Sequence, residues 1–184
     1  MSKKPVIVFE GIEGSGKSYH ISNVSKYLTK NKIDHIKIRE PGGSFAAEKI
    51  RKLVLSNRFN FNKYTDLLLY MAARSENMQI LNKYYKKKVI LIDRFVDSTI
   101  AYQHYGFNVD INLINLINKF LLKGFKIDFT FLNLVNKKNM IKRLRTRKSL
   151  NRYDKFKDTF YHKVQNGFLK ISKKDKKKYL IVNS

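Results

Sequence analysis

The sequence has no cysteine and no tryptophan, and only two prolines and eight glycines among 184 residues. Without cysteine there is neither a disulfide nor a thiolate metal site. With Pro5 and Pro41 as the only prolines, regular structure can run almost uninterrupted. No apolar run is long enough to span a membrane. The N-terminal MSKK leads straight into a strand with no apolar leader segment, so no secretory signal is expected and the default address is the cytoplasm. Acid is scarce too: 14 Asp and Glu stand against 39 Lys and Arg, a formal net charge of +25. Apolar residues make up 43%, which excludes a disordered or fibrous chain and suits one domain over 1–184 with a sizeable core.

The charge points toward polyanions, whether nucleotides, nucleic acid or an anionic surface. Lysine is nevertheless spread along the whole chain beside much asparagine, isoleucine and phenylalanine. An AT-rich genome encodes that same mixture, so solvated lysine faces are the other reading, also for the run Lys173–Lys178.

Apolar, β-branched stretches recur with helical patterns between them. Strands are expected at 6–10, 34–38, 89–92, 128–134 and 179–182. Helices are expected near 17–30, 44–57, 62–86, 110–122, 137–146 and 153–173. Val89-Ile90-Leu91-Ile92 is apolar at every position, as a strand buried on both faces should be. Strands alternating with helices imply an α/β fold with a parallel sheet covered on both sides.

The first strand runs into Gly11-Ile12-Glu13-Gly14-Ser15-Gly16-Lys17-Ser18. This is the phosphate-loop spacing in its proper context, after a strand and opening a helix. Glycines let successive N–H groups point at phosphate, Lys17 reaches toward the β- and γ-phosphates, and Ser18 supplies an Mg²⁺ ligand. A mere glycine-rich turn is the alternative. Asp93, at the end of a buried strand, is placed either to hold the same Mg²⁺ or to cap a helix. Arg94 beside it makes a salt bridge or clamps a second phosphate. Arg39 opens the rigid Arg39-Glu40-Pro41-Gly42-Gly43 loop and projects to an anion or closes an ordinary turn. If 94–103 is helical, Ser98 with Tyr102 and Thr99 with Gln103 share faces suited to a base edge. Tyr70 and Arg74, four apart, set a ring beside a cation. Arg143, Arg145, Arg147, Lys148 and Arg152 crowd one stretch between helices, either as a lid that closes over triphosphate or as a basic patch.

Together FEGIEGSGKS, REPGGS, YMAAR, DRFVDSTIAYQ and RLRTRKSLNRYD resemble the thymidylate kinase family, in its order and spacing from Val6 to about Gly167. The resemblance implies a three-layer P-loop nucleoside-kinase fold: a five-stranded parallel sheet flanked by helices, with a short arginine-rich lid at about 145–154, usually as a homodimer. It implies ATP- and Mg²⁺-dependent phosphorylation of dTMP to dTDP, in dTTP synthesis for DNA replication. Gly11 to Ser18 then cradle ATP, helped by Arg143 and Lys148. Lys17, Arg94, Arg147 and Arg152 serve catalysis, and Ser18 and Asp93 hold Mg²⁺. Glu13, Arg39, Tyr70, Arg74, Arg94, Ser98, Thr99, Tyr102 and Gln103 bind dTMP: Arg39 and Arg94 at its phosphate, Tyr70 stacked on the base, Arg74 and Gln103 at the thymine edge, Thr99 near the methyl. The chain departs from the family pattern at Ser44, Ile127, Asn133, Asn151 and Asp154. It also stops at Ser184 without the family's final helix, which is expected to expose one side of the sheet and thin the adenine pocket. Another P-loop deoxynucleotide or deoxynucleoside kinase, or a degenerate basic nucleic-acid-binding relative, are the rivals.

Overall fold

The computed structural model describes residues 4–147 and 149–184. Five parallel strands form one sheet in the order β2-β3-β1-β4-β5: β1 (Val6–Glu10), β2 (His35–Arg39), β3 (Val89–Asp93), β4 (Phe129–Leu134) and β5 (Tyr179–Asn183). Each lies within a residue of its expected limits. The pleat sorts the side chains into two layers. Ile7, Phe9, Val89 and Leu91 face α1 (Lys17–Lys30), where Ile21 and Leu28 meet them. Val6, Val8, Ile90 and Ile92 face α3 (Lys63–Tyr84), through Met78 and Leu81.

Helix ends follow from capping chemistry. Asn62 and Asp110, expected inside helices, instead cap α3 and α5 (Ile111–Leu122) with their side chains, as Ser44 caps α2 (Phe45–Leu55). The expected helix from 153 begins at Asp158 as α7 (Asp158–Ser172). Before it, Asn151 and Asp154 close a capping box around a separate 3₁₀ turn, Arg152–Lys155. After β3 the chain makes a short α4 (Val96–Thr99) that widens into a π-helix, Ile100–Gly106. Tyr105 of that segment lies so close to α7 that a Cβ on Gly167 would meet its ring at 2.6 Å. Helix α6 (Lys137–Arg145) leads toward the arginine-rich stretch, where Lys148, expected at ATP, lies outside the described residues. No helix among the described residues is long and apolar enough to cross a membrane. On the outer strand β5, Leu180 and Ile181 are exposed.

Candidate active site

Parallel order brings the C-terminal ends of β1, β2 and β3 to one edge, where ligands bind in open α/β sheets. At Gly11 the backbone takes φ +136°, and a Cβ there would sit 2.2 Å from the Asn133 carbonyl oxygen, so only glycine lets the loop leave β1 beside β4. The loop ends at Gly16, left-handed at φ 87°, and no side chain caps α1. The first N–H groups of α1 therefore remain for an anion. Ile12, expected with the ATP loop, turns its side chain into the core beside Met140, so only its backbone can serve phosphate. Ser15 is fully buried.

The Lys17 side-chain nitrogen is folded under this loop. It donates to the carbonyls of Gly11 (2.9 Å) and Ile12 (2.8 Å) and to Ser15 Oγ (3.4 Å). Burial, helped by the nearby Arg94 charge, lowers its pKa to about 7. Arg143 donates to the Gly14 carbonyl (2.8 Å), and with Arg147 it walls a cavity of about 190 Å³ above the loop residues Gly14 to Ser18.

A second cavity, of about 200 Å³, joins this loop to the ends of β2 and β3. Glu13, Lys17, Ser18, Asp93, Arg94 and Arg147 line its loop side, and Arg39, Tyr70, Arg74, Ser98, Thr99, Tyr102 and Gln103 line the rest. Ser18 and Asp93 both border it, and the buried Asp93 Oδ1 has no hydrogen-bond partner among the described residues. A hydroxyl beside an unengaged carboxylate oxygen fits a hard divalent cation.

Arg94 sits at the junction. Its backbone is left-handed (φ 66°), which costs energy outside glycine, and the bond from its N–H to the Phe9 carbonyl (3.0 Å) holds it there. The guanidinium reaches the Gly11 carbonyl (2.7 Å), Ser98 Oγ (3.3 Å) and Glu13 (2.9 Å), and lies 5.2 Å from the Tyr102 ring centre. The Tyr102 hydroxyl donates to the other Glu13 oxygen. Glu13 is thereby tied to a cation and a hydroxyl on the acceptor side of the loop.

Arg74 is 1% exposed and saturated with partners. It pairs with Glu40 at 2.7 Å, donates to Asn118 Oδ1 (2.6 Å) and Thr99 Oγ1 (3.0 Å), and lies 4.9 Å from the Phe95 ring centre. Gln103, equally buried, keeps an Nε2 with no partner among the described residues. Burying an amide donor without a partner is costly, so this group is poised for a ligand acceptor. Arg39 differs from expectation in being occupied: Glu48 holds it bidentately at 2.9–3.0 Å, and an incoming phosphate has to compete with that carboxylate.

Arg152 requires correction. Expected at the transferring phosphate, it borders neither cavity. Its guanidinium is taken by Asp66 and by the Val54 carbonyl (2.5 Å), because the 3₁₀ turn aims it at the start of α3. Arg147, by contrast, borders both cavities while paired with Asp154.

A family model described as thymidylate kinase matches residues 9–184. The chain belongs to the thymidylate kinase family. Among its relatives are thymidylate kinases of Kosmotoga olearia, 36% identical over 179 residues (96% of this chain, 86% of the relative), and of Finegoldia magna, 38% identical over 173 residues (92% and 85%). A crystal structure of thymidylate kinase from Ehrlichia chaffeensis superposes with a TM-score of 0.79 at 30% identity, covering all of this chain and 92% of that one. Beside the thymidylate kinase motifs, the structure adds residues that sequence reasoning passed over. Glu10 is fully buried and accepts from Phe95 N (2.8 Å), Ser98 N (3.2 Å) and Ser98 Oγ (2.5 Å). Glu40, Asp66 and Asn118 are equally hidden. For Glu10, Asp66 and Asn118 the one signal was polarity inside otherwise apolar stretches, such as Asp66 within YTDLLLY, while Glu40 stood without a role within REPGG.

Proposed function

We propose that this chain transfers the γ-phosphoryl group of ATP to the phosphate of dTMP, giving dTDP for dTTP synthesis. One observation carries the assignment of roles. A single cleft joins a phosphate loop to a buried pocket of Arg74, Thr99 and the unengaged Gln103, with Arg94 between them. A loop alone would describe any nucleotide hydrolase; the second pocket supplies an acceptor.

In this reading the loop amides, Lys17 and Arg143 hold the triphosphate. Arg94, with Arg39 once it leaves Glu48, takes the dTMP phosphate, and Glu13 and Tyr102 face the sugar. Tyr70 stacks on the base, and Thr99 and Gln103 read its edge, joined by Arg74 once one of its donors leaves a present partner. Mg²⁺, held by Ser18 and Asp93, would neutralise charge on the β- and γ-phosphates. Arg147 adds a cation where charge develops on the transferred group. No general base is called for, because the dTMP phosphate oxygen is already a nucleophile; positioning and charge neutralisation supply the rate. The chain is one kinase domain with its lid at about 145–154, and its address is the cytoplasm, where its ATP is held. Exposed apolar side chains on α3 (Tyr64, Leu68) and α5 (Leu116, Phe120) support a homodimer.

A coupled assay over nucleoside monophosphates and nucleosides tests this. The highest kcat/KM should fall to dTMP. dUMP, lacking one methyl, should be poorer by a factor on the order of 10–200. Equal values for the two would remove the methyl pocket at Thr99, and a preference for an unphosphorylated nucleoside would make the chain a nucleoside kinase instead.

A further inference from the structure

The loss of Arg152 from the cleft leaves a question: what does a buried ion pair do at the foot of α3? Asp66 lies in the first turn of α3 and is 2% exposed. One carboxylate oxygen takes the Arg152 guanidinium, and the other accepts from the Tyr153 hydroxyl at 3.0 Å. Both donors belong to the 3₁₀ turn Arg152–Lys155. The same turn carries Asp154, which grips Arg147 and also accepts from Asn151 N (3.0 Å). Further bonds tie the segment to the α2–α3 side. Arg152 Nε donates to the Val54 carbonyl, and Asn57 Nδ2 donates to the Leu150 carbonyl at 2.9 Å. Finally, the Tyr153 ring meets the Tyr70 ring edge-on, centres 6.0 Å apart, and Tyr70 lines the cleft.

We infer that Asp66 is a positioning residue for phosphoryl transfer: by holding Arg152 and Tyr153 it fixes the turn from which Asp154 presents Arg147 to the phosphate loop. The inference rests on the phosphotransfer reading above. Asp66 touches neither substrate site; it acts through the turn. A buried, paired and hydrogen-bonded carboxylate suits this task because its geometry is specified from two sides, and removing either partner leaves the other uncompensated. Tyr70 makes the arrangement two-sided. The Tyr70 ring abuts Tyr153, so the turn is packed against the wall of the acceptor pocket as well as tied to Asp66.

Asp66→Asn, Arg152→Gln and Tyr153→Phe test this, singly and with the first two combined. Tyr153→Phe keeps the ring and removes only the hydroxyl bond to Asp66, so it carries the test if a charge variant does not fold. Asp66→Asn and Arg152→Gln should each lower kcat by a factor on the order of 10 or more, with Tyr153→Phe smaller, while KM and Kd for dTMP stay within about twofold. Because both act through one contact, the double variant should be no worse than the poorer single one. Hydrogen exchange in peptides spanning 149–157 should rise in every variant, while peptides from β1 and β3 stay protected. Wild-type kcat in folded variants, multiplying losses in the double variant, or weakened dTMP binding with unchanged kcat would each overturn the proposal. The exchange measurement needs no turnover. An inactive wild type with the expected exchange pattern therefore sinks the phosphotransfer reading and not the anchoring one.

Discussion

The burial of ionisable side chains decides much at the level of single residues. With its pKa lowered to about 7, Lys17 enters the triphosphate site largely uncharged at pH 8. A bound triphosphate restores the ammonium, so binding should take up close to one proton at pH 8. Titration calorimetry of ATP in two buffers of different ionisation enthalpy measures it; no uptake would mean that Lys17 is already charged. Lys17→Ala should remove the uptake and cut kcat by more than about tenfold while dTMP still binds. Glu10 is the opposite case. Burial first, and then the Asp97 charge, raise its pKa from 4.5 to about 7. The folded state then holds a proton that the unfolded chain releases. Its stabilising contribution is complete below pH 4.5 and is lost as pH rises through 7. Glu10→Gln, which cannot ionise, should therefore gain on the wild type between pH 5 and pH 8. The difference in Tm between the two proteins should shift in its favour by on the order of 5 °C. A pH-independent difference would show that Glu10 stays charged. Neither shift is written in the sequence, because a pKa depends on which side chains fold against it. Arg152 teaches the same lesson. An arginine in an arginine-rich stretch reads as a phosphate ligand until Asp66, 86 positions away, is found to hold it.

Among the elements, those set by local chemistry were legible in advance. The strand β3 is apolar at four successive positions, and α1 begins where glycine ends; both stand where pattern placed them. Ends governed by side-chain caps were displaced by a residue or two, since a capping asparagine belongs to a helix in composition but not in dihedral angles. The π-helix was out of reach. Periodicity gives i and i+4 as one face, whereas bonds such as Phe107 N to the Tyr102 carbonyl (2.9 Å) close wider turns. The widened segment still keeps Tyr102 and Gln103 beside Ser98 and Thr99 along the cleft, as the i and i+4 spacing expects. It leaves little room on the far side, where Gly167 of α7 meets Tyr105. Gly167→Ala should therefore destabilise the protein by about 1–3 kcal/mol despite alanine's better helix propensity. Urea unfolding checks this, and an unchanged or raised midpoint would show that the ring can give way.

The whole molecule presents two features to its surroundings: an excess of positive charge and an apolar stripe on α3 and α5. Leu68 is 59% exposed and Phe120 68%. If these face a second copy, Leu68→Glu or Phe120→Glu should turn a dimer into a monomer with its fold intact, as read by light scattering after gel filtration. A wild type that is already monomeric would assign the stripe elsewhere. The strand order has a further consequence, for synthesis. Of the five strands, β1 is translated first, yet it ends at the centre of the sheet, paired through Val6 with Ile90 and through Ile7 with Phe129. Until those partners are translated, β1 has no neighbour on either side, and Asn133, against which Gly11 packs, is later still. Contacts so distant along the chain form slowly and expose apolar surface meanwhile. A nascent chain halted before β4 should therefore carry the phosphate-loop motif without the strand that Gly11 packs against, and nucleotide should stabilise it less than the chain extended through β4 and β5.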